Sequence, residues 1–154
     1  MLQTLIMSLA GYVFATSNIQ IPKDFGHFMD AVALVESGNN PKALGDNGKA
    51  WGAWQMHKAA IQDANDWLKA NRMPQQEGAD LKTYEGQKFL AYAYMLLCKE
   101  RLERSNVEAT YERLYICFAY GFQAFKEKEF ETEKVPKRKQ EDLQRVMNLY
   151  NQRK

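Results

Sequence analysis

Cysteine and histidine are scarce in this sequence, and their scarcity argues against several kinds of active site. The chain has two cysteines, Cys98 and Cys117, and two histidines, His27 and His57. They do not cluster and no Cys-x-x-Cys motif occurs, so neither a redox dithiol nor a zinc site is expected. Both histidines are expected at the surface or at helix ends. We therefore expect no metal ion and no cofactor.

The sequence also lacks a concentration of positive charge and, beyond its N-terminus, any long apolar run. It carries 21 Lys and Arg against 19 Asp and Glu, a net charge of +2. No basic stripe with interleaved aromatic residues is present, so nucleic acid is not an expected partner. After Thr16 no segment approaches the length of a membrane span. The mild positive charge is compatible with an anionic polymer as partner.

The N-terminus is apolar and uncharged. Residues 5–15 have the length of the apolar region of a signal peptide, and residues 13–15 form a small-residue pattern ahead of a cut near Thr16. We predict a cleaved export signal over residues 1–15 and a single domain over residues 16–154, which makes the protein periplasmic or secreted. An uncleaved anchor is the second choice and a buried N-terminal helix the third.

The 154 residues, 45% of them hydrophobic, suffice for one domain with a core of its own. In an oxidising compartment Cys98 and Cys117 could pair, because the helices that carry them are neighbours in sequence. The alternative is two buried thiols that pack as small apolar side chains.

Hydrophobic spacing predicts a mainly α, α+β domain. Helices are predicted over residues 24–36, 57–71, 83–104, 109–125 and 140–152. Gly121 is expected to kink or end the fourth helix. Asp46-Asn47-Gly48 is a strong turn signal, which predicts one small β-hairpin between residues 44 and 54. The charged stretch 126–139, broken by Pro136, is interpreted as a solvated face or loop.

The most informative segment runs from Glu36 to Gln55. Glu36-Ser37 ends the first predicted helix, and a Gly/Asn-rich loop then leads to Gly52-Ala53-Trp54-Gln55. A carboxyl group that follows an apolar run has its pKa raised by burial, as protonation of a glycosidic oxygen requires. Trp51 and Trp54 would offer flat faces to sugar rings, and we expect one of the two to do so. The pattern indicates cleavage of a sugar chain.

The same residues resemble a known family. Glu36-Ser37-Gly38-x-Asn40-Pro41-x-Ala43, followed by Gly48-x-Ala50-x-Gly52-x-x-Gln55, resembles the soluble lytic transglycosylases and goose-type lysozymes, whose consensus reads E-S-x-x-x-P-x-A … G-A-x-G-L-M-Q. Ala119-Tyr120-Gly121 is similar to a further A-Y-N motif. The sequence departs from the family at Ala53-Trp54, at Gly121, and in a loop about one residue longer. That loop is also similar to the one in invertebrate-type lysozymes.

The resemblance implies a lysozyme-like fold and a lytic transglycosylase that cleaves the MurNAc–GlcNAc β-1,4 bond of a peptidoglycan glycan strand. Glu36 would be the general acid and base, and the product would carry a 1,6-anhydroMurNAc end. Ser37 would bond the loop backbone or Glu36, and Gln55 would contact sugar or the loop. The Tyr120 hydroxyl would orient Glu36; alternatively, Tyr120 is a core residue of an aromatic-rich helix (Tyr111, Tyr115, Phe118, Phe122).

Asp46 separates two mechanisms. If its carboxylate faces Glu36 across the cleft, the enzyme is a hydrolytic lysozyme that uses both acids. If Asp46 only forms an Asx-turn, which we slightly favour, Glu36 works alone and the muramic acid 6-hydroxyl attacks intramolecularly. A third hypothesis is an inactive wall-binding module, which would serve a larger secretion or phage apparatus.

Overall fold

The computed structural model describes residues 6–9, 12–15 and 22–153, and this part of the chain forms six α-helices and five short β-strands. The predicted class, mainly helical with a small β-element, is confirmed. The helices are α1 Phe25–Ser37, α2 Lys58–Ala70, α3 Tyr84–Arg104, α4 Tyr111–Tyr120, α5 Phe122–Glu127 and α6 Lys137–Asn151. Among the described residues, no helix combines the length and hydropathy needed to cross a bilayer.

Two strands lie within the segment predicted as an export signal. Strand β1, Ile6–Leu9, pairs antiparallel with β2, Tyr12–Ala15, with Ile6 opposite Ala15. The predicted cleavage position near Thr16 lies outside the described residues. The export signal, its anchor alternative and the domain boundary after residue 15 therefore stay predictions.

Local sequence signals set the helix ends. Gly38 adopts a left-handed φ of 66°, and its N–H donates to the Leu34 carbonyl at 3.0 Å, which ends α1 where the Gly/Asn run predicted. The Thr83 hydroxyl accepts the Gly86 N–H at 3.0 Å and so caps α3. Gly121, with a φ of 94°, separates α4 from α5 and confirms the predicted break. Helix α6 starts at Lys137, ahead of its predicted start at residue 140, because Pro136 precedes it and suits a helix entrance.

The core is built around α3, whose residues are buried on every side over most of its length. Helix α2 packs on α3, and α1 packs on α6. Asp24, just before α1, accepts hydrogen bonds from the hydroxyls of Tyr111 at 2.7 Å and of Tyr150. Phe28 stacks on Tyr111 with ring centroids 4.4 Å apart. These contacts join the start of α1 to α4 and α6.

Cys98 and Cys117 are neighbouring free thiols in the interior, one on α3 and one on α4. Both are fully buried. The structure therefore corresponds to the second of the two alternatives, a pair of buried thiols.

A small antiparallel sheet lies between α1 and α2. Its strands are β3 Leu44–Gly45, β4 Ala50–Trp51 and β5 Met56–His57, in the order β3–β4–β5. The first two form the predicted hairpin, with Asp46–Gly48 at its turn. Strand β5 was not predicted, because residue 57 was assigned to the following helix. Gly52 and Gln55, with φ values of 78° and 49°, bring β5 back against β4.

Candidate active site

A cleft of about 790 Å³ opens between the C-terminal end of α1, the sheet, the end of α4 and the first half of α6. Predicted site residues Glu36, Asp46, Gln55 and Tyr120 all line it. Residues far apart in the sequence therefore meet in one cavity, whose size suits part of a polymer rather than a single ion.

Glu36 lies in the last turn of α1 and is partly buried at the wall of the cleft. Burial raises the pKa of its carboxyl group. The Tyr115 hydroxyl, which donates to Oε1 at 2.7 Å, and the positive charge of Lys139 act in the opposite direction, and burial prevails. The environment thus favours the protonated form, which is the form a general acid needs.

The tyrosine that contacts Glu36 is Tyr115, and not Tyr120 as predicted. Tyr115 is fully buried in the middle of α4, on the face that meets α1. Tyr120 ends α4 and lines the cleft, where its partly exposed ring belongs to the wall. The prediction was wrong because it followed the motif Ala119-Tyr120-Gly121. The sequence presents Tyr115 as one of several aromatic residues of α4, and no local spacing distinguishes it.

Burial and the neighbouring Glu36 carboxylate raise the pKa of the Tyr115 hydroxyl. The hydroxyl therefore stays protonated at physiological pH and remains a hydrogen-bond donor. It stabilises the carboxylate that forms when Glu36 has given up its proton.

Ser37 fastens the loop and does not bond Glu36. Its hydroxyl donates to the Ala53 carbonyl at 2.7 Å and accepts the Asn40 N–H at 3.0 Å. The first of the two roles considered for Ser37, bonding to the loop backbone, is the one in the structure. Ser37 therefore holds the loop beside Glu36 and does not line the cleft.

Gln55 lines the cleft and also bonds the loop. Its Nε2 donates to the Gly52 carbonyl at 2.9 Å, and a Cβ at Gly45 would lie 2.1 Å from its Oε1. Glycine at position 45 thus allows the side chain to lie flat across the hairpin. Contact with the loop, one of the two predicted possibilities, is present.

Gln87, which the sequence does not single out, supports the loop between α1 and α2. It is buried on α3, with 6% of its surface exposed. Its Oε1 accepts the Ala53 N–H, and its Nε2 donates to the carbonyls of Pro41 and Leu81, each at 2.9 Å. A Cβ at Gly52 would lie 2.5 Å from this side chain. A glutamine within a helix carries no local signal of such a role.

Neither tryptophan of the loop is placed to stack on sugar, so the prediction for Trp51 and Trp54 is corrected. Trp54 borders the cleft but is 1% exposed, and its Nε1 donates to the Met29 carbonyl at 3.0 Å. Trp51 lies outside the cleft and lines a small apolar pocket with Ile61 and Leu81. Trp54 is therefore part of the core, whereas Trp51 is partly exposed and lies away from a substrate bound in the cleft.

Asp46 and His57 form a pair where the small sheet lines the cleft. Oδ2 of Asp46 lies 3.4 Å from Nε2 of His57, and more than half of each side chain is exposed. The backbone of Asp46, with a φ of 48°, forms the predicted turn. Its carboxylate is directed to His57 rather than into an Asx-turn. His57 precedes α2, as expected of a helix-end histidine, and it also lines the cleft.

Helix α6 supplies a charged wall. Arg138, Lys139, Asp142 and Arg145 line the cleft from one stripe of this helix. Part of the charged stretch predicted as a solvated face or loop is therefore helical and faces the cavity. Within the described ranges, no group of three or more His, Cys, Asp or Glu side chains suits a metal ion.

Comparison with known proteins gives no relative. No protein-family model, no curated protein and no solved structure matches this chain. Function is therefore inferred from the motif and from the geometry of the cleft.

Proposed function

We propose that the protein is a lytic transglycosylase that cleaves the MurNAc–GlcNAc β-1,4 bond of peptidoglycan, with Glu36 as general acid and base. One observation carries the proposal: a carboxyl group with a raised pKa lies in the wall of a polymer-sized cleft, bonded by a buried tyrosine. The likeness of residues 36–55 to the soluble lytic transglycosylases and goose-type lysozymes supports the same reaction.

In the first step, protonated Glu36 donates its proton to the glycosidic oxygen as the bond to C1 of MurNAc breaks. The GlcNAc-bearing fragment leaves with that proton. Glu36 is now a carboxylate, and the Tyr115 hydroxyl at 2.7 Å stabilises its charge. The positive charge of Lys139 acts in the same direction.

In the second step, the C6 hydroxyl of the same MurNAc attacks C1 and gives its proton to Glu36. A 1,6-anhydro ring forms, no water is consumed, and Glu36 is again protonated. Since the attacking hydroxyl belongs to the same sugar, proximity takes the place of a second carboxylate. Ser37, Gln55 and Gln87 hold the loop beside Glu36 while this occurs.

A hydrolytic lysozyme is the second candidate, and the position of Asp46 favours it. Asp46 lines the same cleft as Glu36, and most of its side chain is accessible. In a hydrolase this carboxylate would stabilise the positive charge at C1 or activate a water molecule. The two candidates share a substrate and differ in their products.

The test is to incubate purified sacculi with the wild-type protein, with Glu36→Gln and with Glu127→Gln, and to weigh the released fragments. Glu127 is a matched control, because it is an exposed glutamate at the end of α5, outside the cleft. Anhydro-ended fragments from wild type and Glu127→Gln, but not from Glu36→Gln, are expected. Fragments one water heavier would establish the hydrolase. No release from walls of several compositions would reject both and leave the wall-binding module.

The substrate lies outside the cytoplasm, which agrees with the export signal predicted over residues 1–15 and with a periplasmic or secreted enzyme.

A further inference from the structure

The positive charges of the cleft are all on one wall. Among its lining residues, the three Lys and Arg side chains are Arg138, Lys139 and Arg145, and all of them belong to α6. Arg138 and Arg145 lie seven positions apart, about two helical turns, with the acidic Asp142 between them on the same face. A substrate that lies in the cleft therefore meets this stripe of α6 along its length.

Two of these cations are available to a ligand. Within the described part of the chain, neither Arg138 nor Lys139 has a carboxylate within ion-pair distance. Arg145 lies 3.4 Å from Asp142, and 63% of its side chain is exposed. The charges of Arg138 and Lys139 also act on Glu36. Arg138 and Lys139 thus line the same cleft as Glu36, the residue proposed to protonate the glycosidic oxygen.

We propose that Arg138, Lys139 and Arg145 form a subsite for the carboxylates of the peptide stem on MurNAc, an inference that rests on the proposed function. In peptidoglycan this stem is attached to the sugar whose bond is cleaved, so its carboxylates lie near the general acid. Arginine and lysine bind carboxylates through charge-assisted hydrogen bonds, and the planar arginine side chain engages both oxygens. A glycan strand whose stem and lactyl carboxyl groups are all amidated offers these side chains no anionic partner. The enzyme therefore prefers strands that carry free stem carboxylates.

Phosphate polymers of some walls are also anionic, so the substrate must be free of them. Three substrates are compared: sacculi stripped of phosphate polymers, the same sacculi with stem carboxylates converted to neutral amides, and glycan strands freed of their peptides by an amidase, with the lactyl carboxylates that this hydrolysis exposes then converted to neutral amides. The proteins are wild type, Arg138→Gln/Lys139→Gln, the same double variant with Arg145→Gln, and Lys137→Gln. Lys137 is the matched control, because it lies on the same helix, is exposed and does not line the cleft.

Wild type and Lys137→Gln are expected to cleave the sacculi with free stem carboxylates about tenfold faster than either amidated substrate. The difference is expected mainly in KM, and a few solvated ion pairs can give an effect of this size. The triple variant is expected to lose this preference, and the double variant to lose most of it. The readout is the rate on sacculi with free stem carboxylates divided by the rate on the amidated sacculi. Removal of Lys139 also changes the pKa of Glu36, but this change affects both rates and cancels in their ratio.

Equal wild-type rates on the three substrates, or an unchanged preference in the double variant, would overturn the subsite while leaving the proposed function intact. If wild type cleaves none of the substrates, the proposed function itself fails. The double variant retains the Arg145–Asp142 pair, so the test stands even if the triple variant does not fold.

Discussion

The Tyr115 hydroxyl donates to Oε1 of Glu36 at 2.7 Å, and the two residues are 79 positions apart in the sequence. The contact joins the middle of α4 to the end of α1, at the wall of the cleft. It lowers the pKa of Glu36, whereas burial raises it by more. The acidity of Glu36 therefore depends on the packing of two helices.

Tyr115→Phe is expected to raise the pKa of Glu36 further, because it removes the hydrogen bond that stabilises the carboxylate. The alkaline limb of the kcat/KM profile, where Glu36 loses the proton it must donate, then moves to higher pH. We expect kcat to fall by about tenfold, since the carboxylate formed in the first step loses its donor. The measurement is the pH–rate profile on sacculi. Tyr120→Phe is the control: it changes a tyrosine of the same helix that lines the cleft, and its alkaline limb is expected to stay in place.

Glu36→Gln is expected to stabilise the fold at neutral pH while abolishing cleavage. The folded-state pKa of Glu36 is raised, so the folded protein binds this proton more tightly than the unfolded chain does. The contribution of Glu36 to stability is thus most favourable below its unfolded pKa and declines as the pH rises through the folded pKa. We expect Tm at pH 7 to increase by about 2 °C, and by less at pH 4. Glu127→Gln, at an exposed position, is expected to change Tm at neither pH; a fall at pH 7 in Glu36→Gln would contradict the burial argument.

Most of the fold followed from local signals. The end of α1 at Gly38 and the break at Gly121 each depend on the backbone preference of one glycine, and the sequence displays these directly. Strand β5 was missed, since a two-residue strand has no period to detect and its pairing depends on the turn after β4.

The sequence predicts the motif residues of the candidate site but not the residues that hold them in place. Glu36 and Gln55 were identified because the residues around them form a dense local pattern. Tyr115 and Gln87 were not, because their roles arise from contacts between distant parts of the chain. The tryptophans were misplaced for a related reason: an aromatic residue on a loop can stack on sugar or cover its own sheet, and only the packing decides.

Gln87→Ala is expected to destabilise the loop of residues 41–53, which contains strands β3 and β4. It would leave the Ala53 N–H and the carbonyls of Pro41 and Leu81 without their present partner. We expect the free energy of unfolding to fall by about 2–3 kcal/mol, because buried polar groups left without a hydrogen-bond partner destabilise the folded state. Hydrogen exchange of residues 41–53 is expected to quicken more than that of α3. Gln62→Ala, at an exposed position of α2, is the control; equal exchange in both variants would show that Gln87 does not hold the loop.

Asp46→Asn distinguishes the two reactions by rate and by product. In a transglycosylase Asp46 is not needed for chemistry, so we expect kcat to fall less than threefold and the fragments to keep their anhydro ends. In a hydrolase that uses Asp46 as its second carboxylate, kcat would fall at least about a hundredfold. Removal of one electrostatically stabilising group from an active site commonly has an effect of this size. His57→Gln is the companion variant, because it removes the partner at 3.4 Å and leaves the carboxylate. If Asp46→Asn is inactive while His57→Gln still releases fragments with reducing ends, the carboxylate itself is catalytic and the enzyme is a lysozyme.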